Sequence, residues 1–159
     1  MSDVTAVALT ALAEYEAVSG VPLAPYLSAP QLIFPLGDGL INETFLVELP
    51  APVGSARAVL QRVNPLFGIT VHNDIEAITN HLSRKGLPTT QLLRTRHGAL
   101  AVDLGNGGVW RLLSYVEGHS YSKMTTQLAA PAGELVARFH AAVADLDHRF
   151  HFVRSGAHD

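Results

Sequence analysis

Cysteine is absent from the 159 residues, which removes disulfide frameworks, thiolate zinc sites and cysteine nucleophiles together. With no disulfide to need an oxidising compartment, a reducing cytoplasm is the expected setting. Charge is also sparse, at 16% of residues, with 11 basic against 14 acidic side chains and a formal net charge of −3. The basic residues are scattered along the chain, so nothing tracks a phosphate backbone or an anionic membrane. Nucleic acid and membrane are therefore not expected partners. Long apolar runs are missing too: Val4 to Ala13 is about half of the ~20 residues that a spanning helix needs. It lacks a basic leader and runs into Glu14 and Glu16, unlike a signal peptide.

Apolar side chains are plentiful, at 48%, which excludes disorder and predicts an ordinary packed core. Val7, Leu9, Leu12 and Tyr15 suit an amphipathic helix over residues 2–19, started by Ser2 and Asp3 and stopped by Gly20 in a left-handed conformation. Residues 21–30 carry three prolines and read as an extended linker. Short strands are expected at 31–36, 44–49 and 57–63, followed by a helix on which Ile75, Ile78 and Leu82 share a face. Further strands are expected at 91–95, 99–104 and 109–116, with Asn106-Gly107 as a hairpin turn. A last helix over 131–146 places Leu135, Val136, Phe139, Val143 and Leu146 on one face. This order predicts an α+β fold, an antiparallel sheet packed on one internal helix.

The stretch Pro35–Val47, PLGDGLINETFLV, is the most informative. A strand, a tight glycine turn and a returning strand make a hairpin tip with exposed amides. Gly37 and Gly39 would let that backbone approach an anion closely. Alone, such a hairpin is ordinarily structural. The succession of elements after it adds meaning: a third strand, a helix carrying Glu76, more strands, and a connector at 114–118.

That order resembles the ATP-binding lobe of kinases, in which a glycine loop covers the phosphates, a third-strand cation faces them and a helix glutamate orients that cation. The run Gly39-Leu40-Ile41-Asn42-Glu43-Thr44-Phe45 more closely resembles the Gly-x-x-Asn-x-Thr-aromatic loop of the aminoglycoside phosphotransferase and choline kinase superfamily. The segments GLINETFLV, AVLQRVN, WRLLSYVEG and ARFHAAVADLD, with the helix at 71–82, are most similar to its N-acetylhexosamine kinase branch.

The resemblance implies a kinase-like N-lobe at 1–113 and a hinge plus the first helix of a second lobe at 114–159. It implies ATP and Mg²⁺ as cofactors, with a nucleotide and a small hydroxylated acceptor, a sugar or aminosugar, as partners. Gly37, Gly39, Asn42 and Thr44 would then lie on the phosphate loop. Gln61 falls where many kinases carry lysine; it can donate a hydrogen bond to a phosphate but cannot neutralise it. Arg62 is adjacent but should point to the opposite face. Glu76 would be the helix carboxylate, or else a solvated helix residue, and Tyr115 and Val116 would offer backbone groups to adenine.

His72-Asn73-Asp74 resembles the opening of the family's catalytic loop, but the asparagine expected five residues after the aspartate is Thr79. The triplet also precedes the hinge, so capping of the adjoining helix is the expected role. His140, His148 and His151 lack a His-Glu-x-x-His pattern and read as surface or partly packed residues. No catalytic base or metal ligand is thus assigned within these residues. The expectation is an ATP-binding lobe of a small-molecule phosphotransferase that is inactive without the rest of its second lobe. The alternatives are a non-catalytic nucleotide-sensing or protein-interaction module and, more remotely, a metal-dependent hydrolase.

Overall fold

The computed structural model describes residues 3–28, 32–37, 41–51 and 54–152. Helix α1 spans Asp3–Leu12 and is followed by two short antiparallel strands, β1 (Ala17–Val18) and β2 (Val21–Pro22). The expected helix to residue 19 therefore ends early. The amides of Glu14 and Tyr15 tighten onto the Ala11 and Leu12 carbonyls, closing the helix. Ser19 and Gly20 then take φ of 48° and 80°. Two consecutive left-handed residues match the twist of a two-residue hairpin, so this Ser-Gly pair turns strands instead of capping a helix.

The main sheet is antiparallel throughout, in the order β3 (Ile33–Pro35), β4 (Glu43–Pro50), β5 (Ser55–Val63), β8 (Val109–Ser114) and β6 (Leu92–Leu93). Strand β7 (Val102–Asp103) also pairs with β8. Helix α2 (Val71–Arg84) lies between β5 and β6 in the chain, and α3 (Thr126–Val143) comes after β8. The α+β expectation holds, with every expected strand present, β4 and β5 each two residues longer than expected and the other four shorter. Asn106-Gly107 sits in a single 3-10 turn at Gly105–Gly107 that links β7 to β8. Helix α3 begins at Thr126, five residues before the expected start, and carries Pro131 inside it. Pro131 cannot donate the amide bond of a helix interior, and the apolar face expected for this helix is exposed at Leu135, Val136 and Phe139, with only Ala142 of α3 buried. Among the described residues no helix is long and apolar enough to cross a membrane.

Strand alternation divides the sheet into two faces. On one, Val47 and Leu49 pair with Ala58 and Ala56, and Leu60 pairs with Leu112. All are buried against Ala8, Ala11, Leu12, Tyr15, Val18 and Leu23. The principal core thus lies under α1 and its hairpin, where sequence periodicity placed the packing on the internal helix. Helix α2 meets the sheet at β6 and packs against α3. His81 Nε2 lies 2.8 Å from the Ala142 carbonyl, and Asp145 takes bonds from both His81 and Lys85. The Lys85 bond leads in holding the Asp145 carboxyl below the usual range.

Tyr15 is almost fully buried, and its hydroxyl oxygen accepts the Leu112 amide at 3.2 Å. Burial pushes its pKa up from 10.0 to about 12, opposed by that amide bond. The fold therefore favours neutral Tyr15. The resulting stabilisation is complete below pH 10 and lost as pH rises through about 12. In an alkaline titration followed by ultraviolet difference absorbance, one of the four tyrosines should ionise late, together with loss of far-UV circular dichroism. Tyr15→Phe should remove that late step; its persistence would contradict the assignment.

Candidate functional site

The opposite face of the sheet is polar at one end and apolar at the other. Thr44, Gln61 and Arg111 are direct cross-strand partners on β4, β5 and β8. Two residues further along lie Leu46, Val59 and Leu113, again in register. The polar row is wired together. Arg111 Nε donates to Gln61 Oε1 at 2.9 Å, and Gln61 Nε2 donates to Thr44 Oγ1 at 3.1 Å. Arginine has donors only, which fixes the orientation of the Gln61 amide: its oxygen must face Arg111 and its nitrogen Thr44.

The row continues into the β3–β4 loop. Thr44 Oγ1 donates to the Asn42 carbonyl at 3.5 Å, and Asn42 Oδ1 accepts the Asn64 amide at 2.9 Å. Asn42 therefore ties the loop to the end of β5. The Leu36 amide donates to the Thr44 carbonyl, and Gly37 then turns the chain with φ 72°. A side chain at Gly37 would meet no neighbour among the described residues, and the positive φ there favours glycine. Gly39 lies outside the described residues.

Arg111 is the residue that the sequence reading missed. It is half-buried, desolvation lowers its pKa, and among the described residues no carboxylate pairs with it. The signal available in the sequence was a lone arginine in an otherwise apolar strand, VWRLLS. Arg62 behaves as expected: it lies off this row and pairs with Glu43 at 3.3 Å. Behind the row, His72 is buried with Nδ1 2.8 Å from the Ile69 carbonyl, and its Nε2 has no partner among the described residues. Burial, opposed by the Ile69 bond and aided by the charge of Arg111, lowers its pKa and keeps the ring neutral.

Glu76 does not join Gln61. Its Oε1 accepts Arg94 Nη2 at 2.6 Å, and Arg94 Nη1 also binds the Gly98 carbonyl, so the carboxylate anchors the loop after β6. A glutamine on β5 offers no charge to attract it, whereas the Arg94 guanidinium does. A cleft of about 360 Å³ opens between α2 and that loop, lined by His72, Asn73, Glu76 and Arg94.

Beyond β8, the Arg57 guanidinium stands 4.7 Å over the Tyr115 ring and binds Glu117 at 2.6 Å. These contacts fasten the connector to β5, while Val116 remains exposed beside it. Ser114 and Gln91 exchange two further bonds, each 2.8 Å, at the same end of β8.

The His72-Asn73-Asp74 triplet does not cap α2. Thr70 precedes the helix without a side-chain cap bond, and Asp74 lies one turn inside it. Its carboxylate turns toward residues 148–152, accepting the His151 and Phe152 amides at 2.9 and 2.8 Å. The rings of His148 and His151 approach the same carboxylate at 2.8 and 3.1 Å. Burial alone would raise this carboxyl; the amide and imidazole bonds outweigh it and hold Asp74 well below the usual range.

A model of the phosphotransferase enzyme family matches residues 33–154, from the first strand of the main sheet to beyond α3. That span contains the glycine hairpin, the polar row, α2 and the connector. A match over most of the chain joins the polar sheet face to a known chemistry: the chain belongs to the phosphotransferase enzyme family.

Proposed function

We propose that the polar sheet face is the ATP phosphate site, serving transfer of the γ-phosphate to the hydroxyl of a small acceptor, a sugar or aminosugar. The observation that carries this reading is Arg111, a half-buried cation with no counter-ion among the described residues, which sits beside Gln61 on the hairpin side of the sheet. Phosphoryl transfer depends chiefly on positioning and on neutralising charge. Gln61 supplies a directed donor; Arg111 supplies the positive charge that glutamine lacks. Thr44 and Asn42 hold the loop, with Gly37 and Gly39 bringing its amides toward the phosphates.

The apolar residues Leu46, Val59 and Leu113 form a floor on which adenine stacks, bounded by the backbone of Tyr115 and Val116. Glu76 acts at a distance, through the Arg94 loop. Magnesium finds no carboxylate in the polar row among the described residues, so charge compensation within this row falls to Arg111. The proposal sets the protein in the cytoplasm, where ATP is held, and favours the N-acetylhexosamine kinase branch on the glutamine at position 61.

Mg-ATP should raise the melting temperature of the full chain. Asn42→Ala frees the loop from the Asn64 amide and should weaken ATP binding roughly tenfold, the worth of one well-placed hydrogen bond. Calorimetric titration with Mg-ATP checks both. A well-folded sample that gains no stability and shows no binding heat would sink the proposal.

A further inference from the structure

We propose that Asp74, His148 and His151 form a binding site for a divalent cation of the zinc class, which clamps the segment after α3 onto α2. Their candidate ligand atoms all lie within 4.8 Å of one another. Two imidazoles and one carboxylate suit a borderline cation such as Zn²⁺ better than Mg²⁺ or Ca²⁺, which prefer all-oxygen sites.

The hydrogen-bond count favours an ion. Without one, Asp74 Oδ1 must accept three donors: His148 Nε2, the His151 amide and His151 Nδ1. A carboxylate oxygen offers about two lone pairs. A cation between the rings relieves the crowding. Each imidazole then presents a lone pair, its proton moving to the other ring nitrogen, and Oδ1 keeps the amide while binding the metal.

The separations of 2.8 and 3.1 Å are close to the ~3.3 Å between neighbouring ligands of a tetrahedral zinc centre. Side-chain rotation brings all three ligand atoms, which lie within 4.8 Å of one another, to that spacing. The surroundings are those of a built site: Asp74 is buried, and the Phe152 amide orients its other oxygen. Phe150 packs edge-on against the His148 ring at 5.2 Å. His151 is half-exposed, with 52% of its side chain accessible, and gives the ion both an entry path and an open fourth position for water.

The sequence hid this site because 74 residues separate Asp74 from His148, and neither half matches a metal motif. The site is independent of the phosphate row and uses none of its residues.

Metal-stripped full chain titrated with Zn²⁺, and separately with Co²⁺ as a spectroscopic probe, tests it. The expected result is one equivalent bound, a raised melting temperature, and the visible absorption of four-coordinate cobalt. His151→Ala, at an accessible position, and His148→Ala should each weaken binding by roughly tenfold or more. His140→Ala, an exposed histidine on α3, should change nothing. Absence of binding to the folded chain would overturn the site and leave a hydrogen-bonded clamp. Binding that survives both ligand replacements would overturn it as well.

Discussion

Arg111→Met should weaken Mg-ATP binding by roughly ten- to a hundredfold while leaving the chain as stable as before, or more so. The first half follows from charge. A hydrogen bond to an ionised group contributes about 1.5–3 kcal/mol, which is about one to two decades in affinity. The second half follows from burial. Desolvation opposes the Arg111 charge, and its side-chain hydrogen bond is to the neutral Gln61 amide. Exchanging a half-buried cation that has no paired carboxylate among the described residues for an apolar side chain of similar length is commonly neutral or stabilising. A residue kept for structure would show the reverse pattern. Urea unfolding and calorimetric ATP titration on the same samples separate the two. Arg111→Lys keeps the charge but not the planar fork and should fall between wild type and Arg111→Met. Unchanged affinity in Arg111→Met would remove the residue from the site.

How much of this was legible in the sequence depended on the range of the interactions. The strands announced themselves because alternation is a local property: Val47 and Leu49, or Ala58 and Leu60, carry their burial in their own spacing. The loop motif was equally local, and Asn42 and Thr44 do meet Gln61 through Thr44 Oγ1. What failed were judgements that depend on a distant partner. The β5 neighbour that the loop pattern offers Glu76 is not its partner; that is Arg94, 18 residues away, in a segment expected to be a strand but paired only at Leu92–Leu93. Asp74 looked like a cap because its position in the helix is local; the histidines and amides that claim it lie at the far end of the described chain. The Ser19-Gly20 pair turned a hairpin because Val18 and Val21 could pair, a competition between two local signals that spacing alone does not decide. Arg111 carries no local signal, because an isolated charge in an apolar strand has no motif. Its meaning comes from Gln61 across the sheet.

Trp110→Ala should destabilise the fold by about 3–5 kcal/mol, a large share of the roughly 5–15 kcal/mol available to a domain. Trp110 is fully buried, has Phe45 at 5.9 Å, and donates Nε1 to the Gly107 carbonyl at 2.9 Å. Truncation opens a cavity on the core face of β8 and leaves that carbonyl without its indole donor. Trp110→Phe keeps most of the ring volume and should lose less, chiefly the hydrogen bond and a partial void. Urea unfolding followed by circular dichroism measures both, since the only tryptophan is itself removed. The comparison with Arg111 is the sharper test. The two residues are consecutive on β8 but face opposite sides of the sheet, one toward the α1 core and one toward the proposed phosphate site. Trp110→Ala should therefore reduce stability strongly and, below its melting transition, change ATP affinity little; Arg111→Met should do the opposite. If both variants lose affinity in proportion to lost stability, the two faces are not independent and the division of labour across the sheet is wrong.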